Sequence, residues 1–268
     1  MRLLILMNIF LFPIIVHAQK NVPQREVILE GAINFRDLGG YSNTEYRKIK
    51  WGKVYRSADI SKLTDSDMEE LKHRKIYTVI DFRGQSEAEK APDRLLPGAD
   101  YLLLPAGSGN TNDLAAFTKD HVSGVNVMVD FYSDISFFRE KYRPFFQKLL
   151  TLPDSSAILF HCTAGKDRTG IAAALLLYAL DIPMETILSD YTSTNKYRKE
   201  ENEQMINYMV SGGVDRQMAI QIMDANPQYL QSTFNAIKKE YGSVELFLYK
   251  ELGVGEEAKL ILREKYLQ

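Results

Sequence analysis

The 268 residues contain one cysteine, Cys162. A chain with a single cysteine forms no internal disulfide, so this thiol is not a structural staple. Histidine is also scarce, and His73, His121 and His161 show none of the spacing with which metal ligands recur. No metal and no cofactor are expected. A basic excess is missing too: 33 Lys+Arg stand against 35 Asp+Glu, a formal net charge of -2, which argues against a nucleic-acid partner. Internal repeats and low-complexity tracts are absent. What is present in quantity is apolar side chain, 45% of the residues, enough to build a full-sized core.

A long hydrophobic run occurs only at the start. Met1-Arg2 is followed by an apolar stretch from Leu3 to Val16 and by Val16-His17-Ala18, with small residues at the positions a signal peptidase reads. Residues 1–18 are therefore expected to be a signal peptide. The other reading is a buried or membrane-dipping first helix. The run is short for a bilayer span, and no cysteine follows Ala18 to carry a lipid, so no stable membrane anchor is expected. Export to the periplasm or beyond follows, leaving residues 19–268 as a single domain. Removing residues 1–18 takes out Arg2 and no acid, for a net charge of -3.

Along that domain, Glu26–Glu30 and Lys53–Arg56 read as strands. The paired glycines Gly39-Gly40 mark a tight turn held by an Arg36–Asp37 ion pair. Thr64 caps a helix that runs to about Lys75, with acids in its first turn. Ile76–Ile80 is a buried strand ending in Asp81, residues 85–93 form a polar loop, and Tyr101–Leu104 is a further strand. Residues 107–135 lack a clean period and read either as a surface helical excursion or as a mobile lid that shields the thiol. Phe138, Tyr142, Phe145 and Leu149 recur at helical spacing despite Pro144. Helices are expected over 184–191, 195–209 and up to the stop at Gly242. Lys196, Arg198 and Lys199 read as a solvated basic face. Strands alternating with helices predict an α/β fold around a mostly parallel sheet, with a helical C-terminal part.

The chemistry concentrates in His161-Cys162-Thr163-Ala164-Gly165-Lys166-Asp167-Arg168-Thr169-Gly170. This stretch links the strand-like Ala157–Phe160 to the apolar run Ile171–Leu180. A strand, a small-residue loop and a helix start aim backbone N–H groups at an anion. Those N–H groups, Lys166 and Arg168 favour Cys162 as a nucleophilic thiolate. Arg168 has the fork to grip two oxygens of a phosphoryl group. Thr169 is placed to donate its hydroxyl to the departing sulfur, and His161 to orient the loop rather than act as a base. Thr163, Ala164, Gly165, Lys166 and Asp167 are the candidate substrate-binding positions.

These residues match the signature H-C, five residues, R, then Ser or Thr, and the whole loop resembles that of the bacterial tyrosine/serine protein phosphatases. Asn34–Gly40, Tyr55-Arg56-Ser57, Asp81-Phe82-Arg83 and Tyr241-Gly242-Ser243 fit the same family, so the resemblance covers nearly the whole mature chain. It implies a phosphotyrosine-phosphatase-like sheet flanked by helices and a phosphocysteine intermediate. It also implies hydrolysis of phosphotyrosine, with phosphoserine or phosphothreonine as further substrates, and Asp81 as the acid that protonates the leaving oxygen. Asp81 ends a parallel strand, where ligands gather; Asp167, inside the loop, is its competitor. Phosphoinositide phosphatases carry lysines at two loop positions, and here Lys166 matches one while Thr163 occupies the other. The expected partner is a phosphorylated protein or a phosphoinositide, with an inositol-phosphate phosphatase or a non-catalytic phosphate-binding module as alternatives.

Overall fold

The computed structural model describes residues 24–106 and 123–268. The expected signal peptide, and residues 107–122 of the segment read as a helical excursion or a lid, lie outside the described residues. The chain opens with β1 (Arg36–Asp37) and β2 (Val54–Ser57), then α1 (Asp65–His73), β3 (Ile76–Asp81), α2 (Gln85–Lys90) and β4 (Asp100–Leu103). Helices α3 (Gly124–Ser133) and α4 (Phe138–Thr151) precede β5 (Ala157–His161) and α5 (Arg168–Ala179). The remainder is helical: α6 (Met184–Thr192), α7 (Thr194–Tyr197), α8 (Lys199–Ser211), α9 (Arg216–Met223), α10 (Pro227–Tyr241) and α11 (Val244–Phe247). A π-helical turn (Leu248–Leu252) and α12 (Glu256–Tyr266) close it. The expected α/β architecture with a mostly parallel sheet is what forms.

The sheet order is β1-β2-β5-β3-β4, with β1 antiparallel to β2 and every other pair parallel. β5 is therefore central and buried on both faces, and its composition, Ala-Ile-Leu-Phe-His, is the near-continuous apolar run such a strand needs. Alternate residues feed two cores. Ile158, Phe160, Ile80 and Val54 face the larger one with α4, α5 and α10, whereas Ala157, Leu159, Val79 and Tyr55 face a smaller one with α1. α5 has ten buried residues in its twelve, apolar on all sides as a helix enclosed by protein must be.

Several expectations change. Glu26–Glu30 contributes only an isolated bridge from Glu26 to Arg36. Residues 85–90, expected as loop, form α2, because the Glu87 carboxylate reaches back to accept from the Gly84 N–H at 2.7 Å and caps a helix whose start has no capping side chain. The turn at Gly39-Gly40 is not held by an Arg36–Asp37 pair: Asp37 accepts from the N–H groups of Gly39 and Gly52, both at 2.7 Å, and Arg36 pairs elsewhere. The helix expected over 195–209 is broken at Arg198 into α7 and α8. α4 runs through Pro144, as its spacing predicted.

Phe145 is fully buried, with its ring 4.9 Å from that of Phe160 and 5.7 Å from that of Phe82. Phe145→Ala is expected to destabilise the fold by about 3–5 kcal/mol, read as a lower urea midpoint at unchanged slope.

Candidate active site

β5 delivers the chain to Cys162, and α5 begins at Arg168 with Asp167 as its N-cap residue. Between them, Gly165 adopts φ +63, and a Cβ there would be driven into the Ser57 carbonyl, so the loop admits only glycine at that point. Two loop carbonyls are held from outside. Ala164 O accepts from Asn34 Nδ2 at 3.0 Å and Arg198 Nη1 at 3.3 Å; Gly165 O accepts from Asn34 Nδ2 at 3.1 Å and Arg56 Nη2 at 2.8 Å. A trans peptide points its N–H opposite its carbonyl, so the amides of Gly165 and Lys166 face the loop's interior. Among the described residues, no amide of residues 163–167 donates to a protein acceptor. Consecutive inward amides at a helix start are an anion cradle.

Arg56 is itself anchored. It donates to Asp190 at 2.6 Å, and Arg36 donates to the same carboxylate at 3.0 Å, all three side chains being buried. Burial opposes charge on Asp190, but the two arginines more than offset it and hold the carboxyl well below the usual range. Arg56 is lowered from the ordinary arginine range by burial and then by the Arg36 charge.

Arg168 places its guanidinium against Glu87, with Nη1 at 2.6 Å and Nη2 at 3.0 Å from the two carboxylate oxygens. Nη1 also donates to Phe82 O at 3.2 Å and Nη2 to Thr163 Oγ1 at 3.2 Å, which leaves Nε as the N–H without a described protein acceptor. Burial would raise the Glu87 pKa, yet the Arg168 hydrogen bonds and charge bring it down to about 2. Thr163 donates to Glu87 at 2.5 Å, so its side chain is spent on this pair. The hydroxyl of Thr169 is buried and has no hydrogen-bond partner among the described residues, an orphan beside the thiol-bearing loop.

Three candidates sit differently from expectation. Asp81 does reach the end of β3 beside His161, but it is fully buried and both oxygens are occupied: Arg83 Nε lies 3.0 Å from each, Arg83 Nη2 2.8 Å from Oδ2, and the Tyr101 hydroxyl donates at 3.0 Å. Burial favours its neutral form, but Arg83 and His161 outweigh it and lower its pKa, leaving it a poor source of a proton at neutral pH. Lys166 is buried and donates to the carbonyls of Ile222 at 2.5 Å and Asp224 at 3.2 Å, so it ties the end of α9 to the loop instead of extending toward ligand. Asp167 is the more open acid. Its Oδ1 accepts from the Tyr132 hydroxyl at 2.7 Å, in line with a 2.7 Å Tyr132–Tyr191 contact, and among the described residues Oδ2 has no hydrogen bond.

Composition gave no hint of the Asp190 anchor or of the part played by Glu87. Asp81, Asp93 and His161 lie close enough to bind a cation, but Arg83 already lies between the two carboxylates, bonding Asp81 and, at 2.6 Å, Asp93. His161 Nε2 lies 2.8 Å from Asp93, which fixes the ring behind the loop.

A tyrosine phosphatase family model matches residues 27–268. A tyrosine-protein phosphatase of Cupriavidus necator is 32% identical over 230 residues, covering 82% of either chain. The triple specificity protein phosphatase PtpB of Mycobacterium tuberculosis is 26% identical over 265 residues, 85% of this chain and 94% of the relative. A tyrosine-protein phosphatase of Nostoc commune is 26% identical over 209 residues, 75% of this chain and 70% of that one.

Because the Glu87 pKa is lowered on folding, its contribution to stability is complete above the ordinary carboxylate pKa of 4.5 and is lost as pH falls toward about 2. Urea unfolding between pH 6 and pH 2 is expected to show wild type losing its advantage over Glu87→Gln, from about 2 kcal/mol to near zero. A constant difference across that window would remove the Glu87–Arg168 pair as its source.

Proposed function

The chain belongs to the tyrosine phosphatase family, and from that membership we propose that it cleaves phosphate from protein tyrosine residues through a phosphocysteine on Cys162. The observation that carries this reading is the loop between Cys162 and Arg168, whose amides at residues 163–167 donate to no acceptor among the described residues and whose Gly165 and Lys166 amides face inward. The amides and the Nε–H of Arg168 receive the phosphoryl oxygens, and the sulfur attacks phosphorus in line with the departing oxygen. Thr169, with its orphan hydroxyl, donates to the sulfur as it leaves in the second step. Ala164 and Gly165 act through their backbone, Thr163 through Glu87, and Lys166 through the end of α9.

The proton for the leaving oxygen comes from Asp167, not Asp81. A general acid must reach the leaving atom. Asp167 is part of the loop and partly exposed, whereas the carboxylate of Asp81 is enclosed and saturated. The engagement of Lys166 with backbone carbonyls removes the extra lysine that a phosphoinositide headgroup would recruit, which favours phosphorylated protein. Phosphoserine and phosphothreonine remain within the proposed range, consistent with a triple specificity relative.

Residues 1–18 are read as a cleaved export signal and residues 19–268 as one phosphatase domain in the periplasm or outside the cell. No helix among the described residues is long and apolar enough to cross a membrane. Cell fractionation with N-terminal sequencing is expected to recover a chain beginning at Gln19 outside the cytoplasm; an unprocessed cytoplasmic chain would refute this.

Phosphate release from phosphotyrosine peptide, phosphoserine peptide and phosphoinositide decides the substrate class, with the first expected to be fastest. Cys162→Ser is expected to abolish release. Asp167→Asn is expected to lower kcat by about 10²–10³-fold for phosphotyrosine and much less for an activated aryl phosphate. Asp81→Asn is expected to lower thermal stability more than it changes that leaving-group dependence. The opposite pattern would return the acid to Asp81.

A further inference from the structure

The buried arginines around the loop differ in how their charge is compensated. Arg83 faces Asp59, Asp81 and Asp93, while Arg36 and Arg56 share Asp190. Arg168 has Glu87. Arg198 is 8% exposed, and no carboxylate among the described residues lies within ion-pair distance of it. Its two contacts are neutral oxygens, Ala164 O at 3.3 Å from Nη1 and Asn202 Oδ1 at 3.2 Å from Nε. The basic cluster around residue 198, expected to be a solvated face, thus sends its middle member inward, at the break between α7 and α8.

A buried cation without an acid is unfavourable unless some other anion faces it. Arg198 stays charged because guanidinium does not deprotonate in proteins. Its pKa is lowered by burial, opposed by attraction to Cys162, Glu201 and Asp167, so the site of the nucleophile lies within its electrostatic reach. The charged and titratable groups facing that site are Arg56 from β2, Tyr142 from α4, Asp167 and Arg168 of the loop, and Arg198. Arg168 is neutralised by Glu87, and Lys166 lies 3.5 Å from Asp167. The surplus positive charge therefore belongs to the Arg36–Arg56–Asp190 group and to Arg198.

We propose that Arg198 is the uncompensated cation of the phosphate loop, a positioning residue that turns the Ala164 carbonyl outward and whose free charge is balanced by the phosphoryl dianion of the substrate. It rests on reading the loop as a phosphatase site. The charge serves that site because no carboxylate among the described residues pairs with it, so a carboxylate introduced beside it cancels it without changing the loop.

Asn202 offers the place to do so. Asn202→Asp sets a carboxylate on the Arg198 guanidinium, whereas Asn202→Ala removes the same hydrogen bond, and the 3.4 Å bond from Asn202 to Met223 O, without adding charge. Binding of inorganic phosphate to the full chain is measured by calorimetry at neutral pH, with Arg198→Gln and Arg198→Lys alongside. Asn202→Asp and Arg198→Gln are expected to weaken phosphate binding about tenfold, and Asn202→Ala and Arg198→Lys by less than about threefold. Equal affinity of wild type and Asn202→Asp overturns the proposal, as does an equal loss in Asn202→Ala and Asn202→Asp, which would make the contact and not the charge responsible. If Arg198→Gln does not fold, the two Asn202 variants still decide. Failure of the phosphatase reading itself would show differently, as no phosphate binding and no phosphate release by the wild-type chain.

Discussion

Donors fixed elsewhere in the chain hold the carbonyls of Ala164 and Gly165, and the rest of the site depends on that grip. Asn34 bridges both carbonyls, Arg56 takes the second and Arg198 the first. Peptide planarity turns each restraint on a carbonyl into an orientation of the next N–H. A loop with small residues at its second and third positions has little side-chain packing of its own to resist rotation of those peptides. Its geometry is set from outside, by groups 100 or more residues away in sequence for Asn34 and Arg56.

That arrangement requires charge in the interior, and the interior has to stabilise it. Arg36 and Arg56 are fully buried, and among the described residues their only carboxylate is Asp190 on α6. Removing one member of such a group is far more destabilising than the group is stabilising, because a desolvated charge is left behind. The same logic holds at Arg83, where three aspartates surround one guanidinium. Loop geometry and structural ion pairing are therefore one network on either side of β5: His161, at its end, leans on Asp93, and Asp93 leans on Arg83.

Much of this was legible in the order of residues. The sheet, the two-sided burial of Ala157–Phe160 and the strand–loop–helix around Cys162 follow from local patterns that repeat every two residues or every turn. The proposed nucleophile, Cys162, and its arginine, Arg168, are six positions apart in one turn, so no long-range information is needed to pair them. Asp81 shows where such reading stops. Its place at the end of a parallel strand was correct, but the direction of its carboxylate was set by Arg83 two residues on and by Tyr101 on the neighbouring strand. α2 was missed for a related reason, since its cap is a side chain reaching back to a glycine that offers none.

The sequence by itself determined the reaction type, the central strand and the loop, because those rest on contacts between near neighbours along the chain. Only the tertiary structure decided which charges are free. Lys166 looked available and is tied to the end of α9. Arg198 looked solvated and is buried against the loop, with no acid among the described residues to pair with it. Asp81 looked poised and is saturated, while Asp167 keeps an oxygen with no hydrogen bond among the described residues. Electrostatic compensation acts through space, between segments brought together by folding, and no spacing along the chain encodes it.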